Sequence, residues 1–238
     1  MNHQVAICQP HYIPWIGYFE MIDRVDEYIF LDDVQFVQRE WKNRNQIRKA
    51  PLLEVKKWLT VPIIKEDHRA LICNARIDYS KEWMADHLNQ ILQVYKDAPF
   101  FDEYFSWLDQ TFTTSKSETL GSFNIECIKR SCELLNINTK LTTSSQLNVS
   151  GKKEERLRNL CEKVNASSYL ANNKTAEYVG PEYFSEKNMA FDVQKYSHPQ
   201  YKQNLKKSQQ PFLSHLSFLD LLFHQGPNSL KIIQEGRP

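Results

Sequence analysis

The sequence lacks what most direct functional signatures require. No apolar stretch approaches the ~20 residues of a bilayer-crossing helix, so no membrane span is expected. Lysine and arginine number 30 against 29 aspartates and glutamates, a net charge of +1. A protein that grips nucleic acid by neutralising phosphates carries a basic excess, so a nucleic-acid polymer is not an expected partner. The five cysteines (Cys8, Cys73, Cys127, Cys132 and Cys161) form no Cys-x-x-Cys pair. Each lies in an apolar run, and they read as reduced core thiols of a cytoplasmic protein. The seven histidines show no His-x-x-x-His spacing, so no metal site is expected. Neither Gly-x-Gly-x-x-Gly nor a lysine-bearing phosphate loop occurs, which argues against an ordinary dinucleotide or nucleotide-hydrolysing site. No cofactor is expected. Asn2-His3-Gln4 leads straight into a strand, without the charged and apolar blocks of a signal peptide.

What is present fits one α/β domain over residues 1–238, with a helical subdomain at 80–136. Hydrophobic residues make up 41% of the chain, enough for a core. Val5 to Cys8 is a short apolar run bounded by Pro10, the pattern of a buried strand. Pro14 pre-sets the backbone for a helix carrying Trp15, Tyr18, Phe19, Ile22 and Val25 at helical spacing. Tyr28 to Leu31 is the next strand and ends on Asp32 and Asp33. Asn43 to Lys49 reads as a basic, amide-rich connection, Leu53 to Ile63 as one or two strands, and Leu71 to Cys73 and Ala75 to Tyr79 as short strands. Helices follow over 80–98, with Ser80 as cap, over 100–112 and over 120–135. His87 falls on an apolar stripe, where a hydrogen-bonded core histidine is the ordinary reading. Later come a strand end at Lys140 to Thr142, a polar connector over 142–150 and a helix opened by Glu154 and Glu155. Strands at Ser168–Ala171 and 191–196, a lysine-rich lid over 201–211 and a final helix from Ser217 complete the pattern. Strands alternating with helices of this length predict a mainly parallel sheet flanked by helices.

The polar residues of the first unit all fall where strands end, which is where open α/β sheets bind ligands. His11, between two prolines, can be a base of ordinary pKa near ~6.5 or can merely brace the turn. Adjacent strand residues face opposite ways, so only one of Asp32 and Asp33 can face a site; the other caps the turn or pairs with Arg39 or Arg44. Arg39, Asn43, Arg44 and Asn45 can hold phosphate or polarise a carbonyl, or form a solvated basic loop. His198 follows a strand, and His215 lies near the start of the last helix.

Gln-Pro-His-Tyr-x-Pro-Trp-x-Gly-Tyr-Phe over 9–19, Leu-Asp-Asp-Val-Gln-Phe over 31–36 and Trp41-Lys42-Asn43-Arg44-Asn45 together resemble the WbqC-like family. The resemblance continues through Tyr196-Ser197-His198-Pro199 and His215 to Phe223. That family occurs in bacterial O-antigen and other surface-polysaccharide gene clusters. The resemblance implies transfer of an amino acid, such as glycine, to an amino sugar; the chemistry of such a transfer leads us to expect an acyl or aminoacyl group passing from an activated donor to the amine of a nucleotide-linked amino sugar. Such a reaction needs a base and carbonyl donors; His11 is expected as the base and Asp32 as its orienter or a contact to the sugar, with Gln9, Tyr12, Asp33, Arg39, Asn43, Arg44, Asn45, Tyr178, His198 and His215 around the substrates. The expected partners are the nucleotide-linked amino sugar and an acyl or aminoacyl carrier protein. One departure stands out: Ala171-Asn172-Asn173 occupies the place of a glycine-rich turn. A fainter likeness to nucleotidylyltransferase openings fails at Tyr18, which replaces a leaving-group-stabilising histidine. The rival from another class is a non-catalytic sugar- or nucleotide-binding assembly protein.

Overall fold

Val5, Ala6 and Ile7 present no polar side-chain atom, so burying them on both faces of a sheet costs nothing in unpaired groups. The computed structural model describes residues 3–50, 54–203 and 212–238. In it these residues form the central strand, β1 (Gln4–Cys8). Helix α1 (Ile16–Asp23) and strand β2 (Glu27–Phe30) follow, and β2 pairs with β1 in parallel. A separate antiparallel hairpin comes next, β3 (Arg44–Arg48) and β4 (Lys56–Thr60). Helices α2 (Trp83–Tyr95), α3 (Phe101–Thr113) and α4 (Leu120–Leu134) lead back to β5 (Lys140–Thr143), which pairs with β2. After α5 (Ser144–Leu147) and α6 (Lys153–Lys163), β6 (Ser168–Ala171) pairs on the other side of β1. Helices α7 (Asn173–Ala176) and α8 (Glu182–Ser185) precede the edge strand β7 (Ala190–Val193). Helices α9 (Phe218–Gln225) and α10 (Ser229–Glu235) come last. The sheet order is β5-β2-β1-β6-β7; its pairings are all parallel, in agreement with the mainly parallel sheet expected from the sequence.

Strand alternation divides the core between the two faces of the sheet. Val5, Ile7, Ile29, Tyr169 and Ala171 pack with Leu157, Leu160 and Cys161 of α6 and with Phe184 of α8. Their neighbours Ala6, Tyr28, Phe30 and Leu170 join the larger cluster built by α1 to α4 and α9. The helices of residues 83–134 therefore share one apolar cluster with α1. His87 is a satisfied core histidine, its Nδ1 2.7 Å from the Tyr12 hydroxyl.

Several local expectations are corrected. Asn43–Lys49 is not a connection: its amides are buried and residues 44–48 form β3. Leu71 makes a single bridge to Gln35, and Ile72–Asn74 is a 3-10 turn, because Cys73 donates its N–H to the Asp32 carbonyl. Glu82 rather than Ser80 stands at the start of α2; the Ser80 hydroxyl is taken by Asp78 at 2.5 Å. Residues 144–147 of the polar connector are helical, and α10 was not anticipated. Ser217 caps α9 by accepting from the Leu219 N–H. Residues 204–211 of the expected lid lie outside the described residues.

Candidate functional site

β1 ends at Cys8 and β6 at Ala171, and between them the winding of the sheet reverses direction. The chain extends from β1 toward β2 and β5, then crosses to lay down β6 and β7. Loops leaving the carboxyl ends of the two strands must part, and a crevice opens at that switch point. A cavity of about 510 Å³ occupies it. Cys8, Gln9 and His11 form its β1 side, and Asn172, Lys174 and Tyr178 come from beyond β6. Trp15 at the start of α1, Tyr18 within it, and Glu40, Trp41 and Lys42 complete the aromatic and charged walls.

His11 is half-buried, its ring 5.0 Å from that of Tyr18. The Tyr18 hydroxyl is itself fixed by donating to the Gln9 carbonyl at 2.9 Å. Among the described residues the His11 imidazole has no hydrogen-bond partner, so its nitrogens are open to a ligand. Burial, followed by the positive charges of Lys42 and Lys174, pulls its pKa down to about 3. At neutral pH it is an uncharged imidazole with a lone pair to offer.

Lys42 is 6% exposed and pairs with Glu40. Burial first, then repulsion from Lys174, brings its pKa down to about 8. Lys174 is exposed at the opposite lip. Glu40, which also lines the cavity, offsets one of these charges, and the one positive charge left in excess favours an anionic ligand. Cys8 lies on the floor with Asn172 Nδ2 3.7 Å from its sulfur. Burial pushes the Cys8 thiol up in pKa, so it remains protonated.

The polar turn before α1 is held from behind. Asn45, 1% exposed, donates to the carbonyls of Tyr12 and Ile13 at 3.1 and 2.8 Å. Asn124 donates to the carbonyls of Pro10 and Lys42 at 3.1 and 2.7 Å. Asn43 reaches the Val61 carbonyl at 3.1 Å. Gln194 donates to Gly17 O and to the buried Glu20 carboxylate, which also receives Arg237. Apart from the Gln194 bond to Glu20, these amides spend their donors on backbone carbonyls that would otherwise be buried unpaired.

Of the residues singled out in the sequence, Gln9, His11 and Tyr178 line the cavity. The structure does not bring Asp32 to His11. The Asp32 carboxylate accepts from the Ser144 hydroxyl and from both Ser145 N–H and hydroxyl, and it borders a different depression beside Cys73. Asp33 pairs with Arg156, not with Arg39 or Arg44, and accepts from Ser144. Tyr12 is fully buried against Trp83, Phe112 and Phe123. Asn43 and Asn45 are structural, Arg44 stacks 4.0 Å over the Trp58 ring, and Arg39 is exposed with φ of 58°. His198 and His215 stand behind the cavity wall, both stacked on Trp15 and 4.9 Å from each other. The residues sequence reasoning missed are Lys42, Lys174, Trp15 and Trp41. Lys42 and Trp41 sit inside the Trp-Lys-Asn-Arg-Asn motif and Trp15 inside the opening one. Nothing in the sequence marks Lys174, which becomes visible only through the β1–β6 adjacency.

Among the described residues no helix is long and apolar enough to cross a membrane, and no three His, Cys, Asp or Glu side chains gather as metal ligands. No solved structure matches the chain. A curated relative, the uncharacterized protein Rv1507c of Mycobacterium tuberculosis (strain ATCC 25618 / H37Rv), is 33% identical over 224 residues, 94% of each chain. The model of the WbqC-like protein family matches residues 9–232, a span that takes in the turn after β1, the cavity lining other than Ile7 and Cys8, and α9. The chain belongs to the WbqC-like protein family.

Proposed function

We propose that this protein is a transferase of surface-polysaccharide sugar biosynthesis, moving an acyl or aminoacyl group onto the amine of a nucleotide-linked amino sugar. The observation that carries the reading is the meeting, in one aromatic-walled cavity, of an unpartnered neutral imidazole and two lysines. Lys42 and Lys174 take the phosphates of the nucleotide, and Trp15 and Trp41 flank its rings. The sugar amine attacks the acyl carbonyl carbon; a C–N bond forms and the bond to the leaving group breaks. His11 removes the ammonium proton and returns it to the leaving group. A base depressed to about 3 is weak in the empty site. Part of that depression comes from Lys42 and Lys174, and phosphate oxygens that neutralise them strengthen His11 once substrate is bound. Holding amine and carbonyl together supplies most of the remaining acceleration.

A second reading, a non-catalytic sugar- or nucleotide-binding assembly protein, is favoured by the separation of Asp32 from His11. No carboxylate among the described residues hydrogen-bonds the imidazole to orient it. Calorimetry with UDP- and TDP-linked amino sugars, set against the free diphosphates, tests the common part of both readings. Tighter binding of the sugar conjugates supports a sugar-recognising site. No binding of either class would sink it, and amide formation from an activated acyl donor separates the transferase from the binder.

A further inference from the structure

A second cavity, of about 410 Å³, adjoins the first and shares its walls at Gln9, Leu31, Leu157 and Tyr178. Its floor is apolar, made by Leu31, Val34 and Leu157, and its rim carries Lys153 and Arg156 with the Glu154 carboxylate beside them. Glu154 is engaged by the Tyr183 hydroxyl at 3.3 Å. The Arg156 terminal nitrogens are spent on Asp33 and on the Val149 carbonyl, while its buried Nε has no acceptor among the described residues. We propose that this compartment holds the activated donor of the transfer reaction, a thioester borne on a phosphopantetheine arm, with Gln9 at the junction donating to the thioester carbonyl. The inference rests on the transferase reading.

A transferase that joins two substrates needs two compartments opening onto one point, and the shared wall is that point. The two chambers differ in chemistry. The first has aromatic faces, the Lys42–Glu40 pair and Lys174 at its lip, which suit a nucleotide. The second combines the apolar side chains of Leu31, Val34 and Leu157 with Lys153, a cation without an ion-pair partner among the described residues, which suits a long uncharged arm ending in phosphate. Gln9 lines both chambers, is half-buried, and its side-chain amide has no partner among the described residues. Its backbone carbonyl is already fixed by Tyr18, so the residue is held while its N–H donors stay free. An amide N–H aimed at the thioester oxygen stabilises the charge that develops there as the amine adds. The carbonyl carbon gains nitrogen and loses sulfur, and the amine proton passes through His11 to the departing thiolate.

The test uses coenzyme A and 4′-phosphopantetheine as probes of the second chamber and inorganic pyrophosphate as a probe of the first, each titrated calorimetrically. Val34→Trp fills the second chamber, and Lys153→Ala, at an exposed residue, removes a rim cation without disturbing the core. Both variants are expected to weaken coenzyme A and phosphopantetheine by about tenfold or more and to leave pyrophosphate affinity unchanged. Lys174→Ala is expected to do the reverse. Binding of phosphopantetheine as tight as that of coenzyme A supports a carrier-protein arm; somewhat tighter coenzyme A supports the free cofactor thioester; either supports the chamber's assignment. Absence of both arm probes from a parent protein that binds pyrophosphate overturns the inference while leaving the nucleotide-sugar site standing. Arm binding that neither Val34→Trp nor Lys153→Ala weakens also overturns it. Arm binding without pyrophosphate binding would support this chamber and count against the phosphate role of the two lysines.

Discussion

Asn45 holds the turn that presents His11: from β3 its amide donates at once to Tyr12 O at 3.1 Å and Ile13 O at 2.8 Å. Its own Oδ1 accepts the Gln46 N–H at 2.7 Å, so the side chain is satisfied at both ends. Ile13 sits at φ 34°, a strained conformation for a β-branched residue. Asn45→Ala leaves both carbonyls buried without a donor, at a cost of about 2–4 kcal/mol. A urea unfolding series should show that loss with an unchanged slope. A loss under about 0.5 kcal/mol would mean the turn holds without the clamp.

Gly17 is required by Trp15. The Trp15 indole folds back over α1 so closely that a Cβ at residue 17 would lie 2.2 to 2.6 Å from its ring atoms. Gly17→Ala therefore has to push the indole out of the cavity wall and away from His198 and His215. The expected outcome is weaker nucleotide-sugar binding together with altered tryptophan emission. An alanine variant with parental emission and affinity would remove Trp15 from the binding wall.

Burial of His11 predicts a stability term with a definite sign. Its pKa is 6.5 in the unfolded chain and about 3 in the folded protein. Between those values the unfolded chain binds the extra proton, so stability is fully present above about 6.5 and is lost as pH falls toward 3. His87, pulled down to about 4 by burial, acts in the same direction. His11→Gln should accordingly lose less stability than the parent between neutral pH and about pH 5. Identical losses in parent and variant would show His11 to be as solvated when folded as when unfolded.

Lys42 predicts the alkaline side of activity. With a pKa of about 8 in the free protein, it loses its charge, and its hold on phosphate, just above neutrality. The kcat/KM profile should fall above about pH 8, and Lys42→Gln should lower kcat/KM and abolish that limb. A limb that survives in Lys42→Gln would belong to another group.

The sheet was legible because its strands are short apolar runs separated by helices with clean periodicity. β1, β2 and β6 fall within a residue of where pattern alone puts them. β3 was not legible: Arg44, Asn45 and Arg48 read as a basic loop, and only the fold turns the Asn45 amide in to Tyr12 O and the Arg48 guanidinium in to Gln203, while the Arg48 N–H donates to the Tyr95 hydroxyl and Arg44 lies over Trp58. The placement of His11 at a strand-end crevice followed from Pro10 bounding the apolar run of β1, which ends at Cys8. The partnership of Asp32 with His11 did not follow, because strand ends reveal nothing about lateral neighbours. The serines that take Asp32 come from α5, more than a hundred residues along the chain, and Lys174 reaches His11 only because β6 pairs beside β1.

The central claim is that His11 is the base of an acyl transfer inside the switch-point cavity. The most direct measurement is the rate of amide formation on a nucleotide-linked amino sugar from an acyl-phosphopantetheine donor, in parent and His11→Gln, with sugar-nucleotide affinity and Tm measured alongside. The account predicts a rate about 10²- to 10⁴-fold lower in His11→Gln. Affinity should remain within about threefold and Tm should shift by only a few degrees. Amide formation at the parental rate by well-folded His11→Gln would contradict it, as would a parent that binds both substrates and forms no amide.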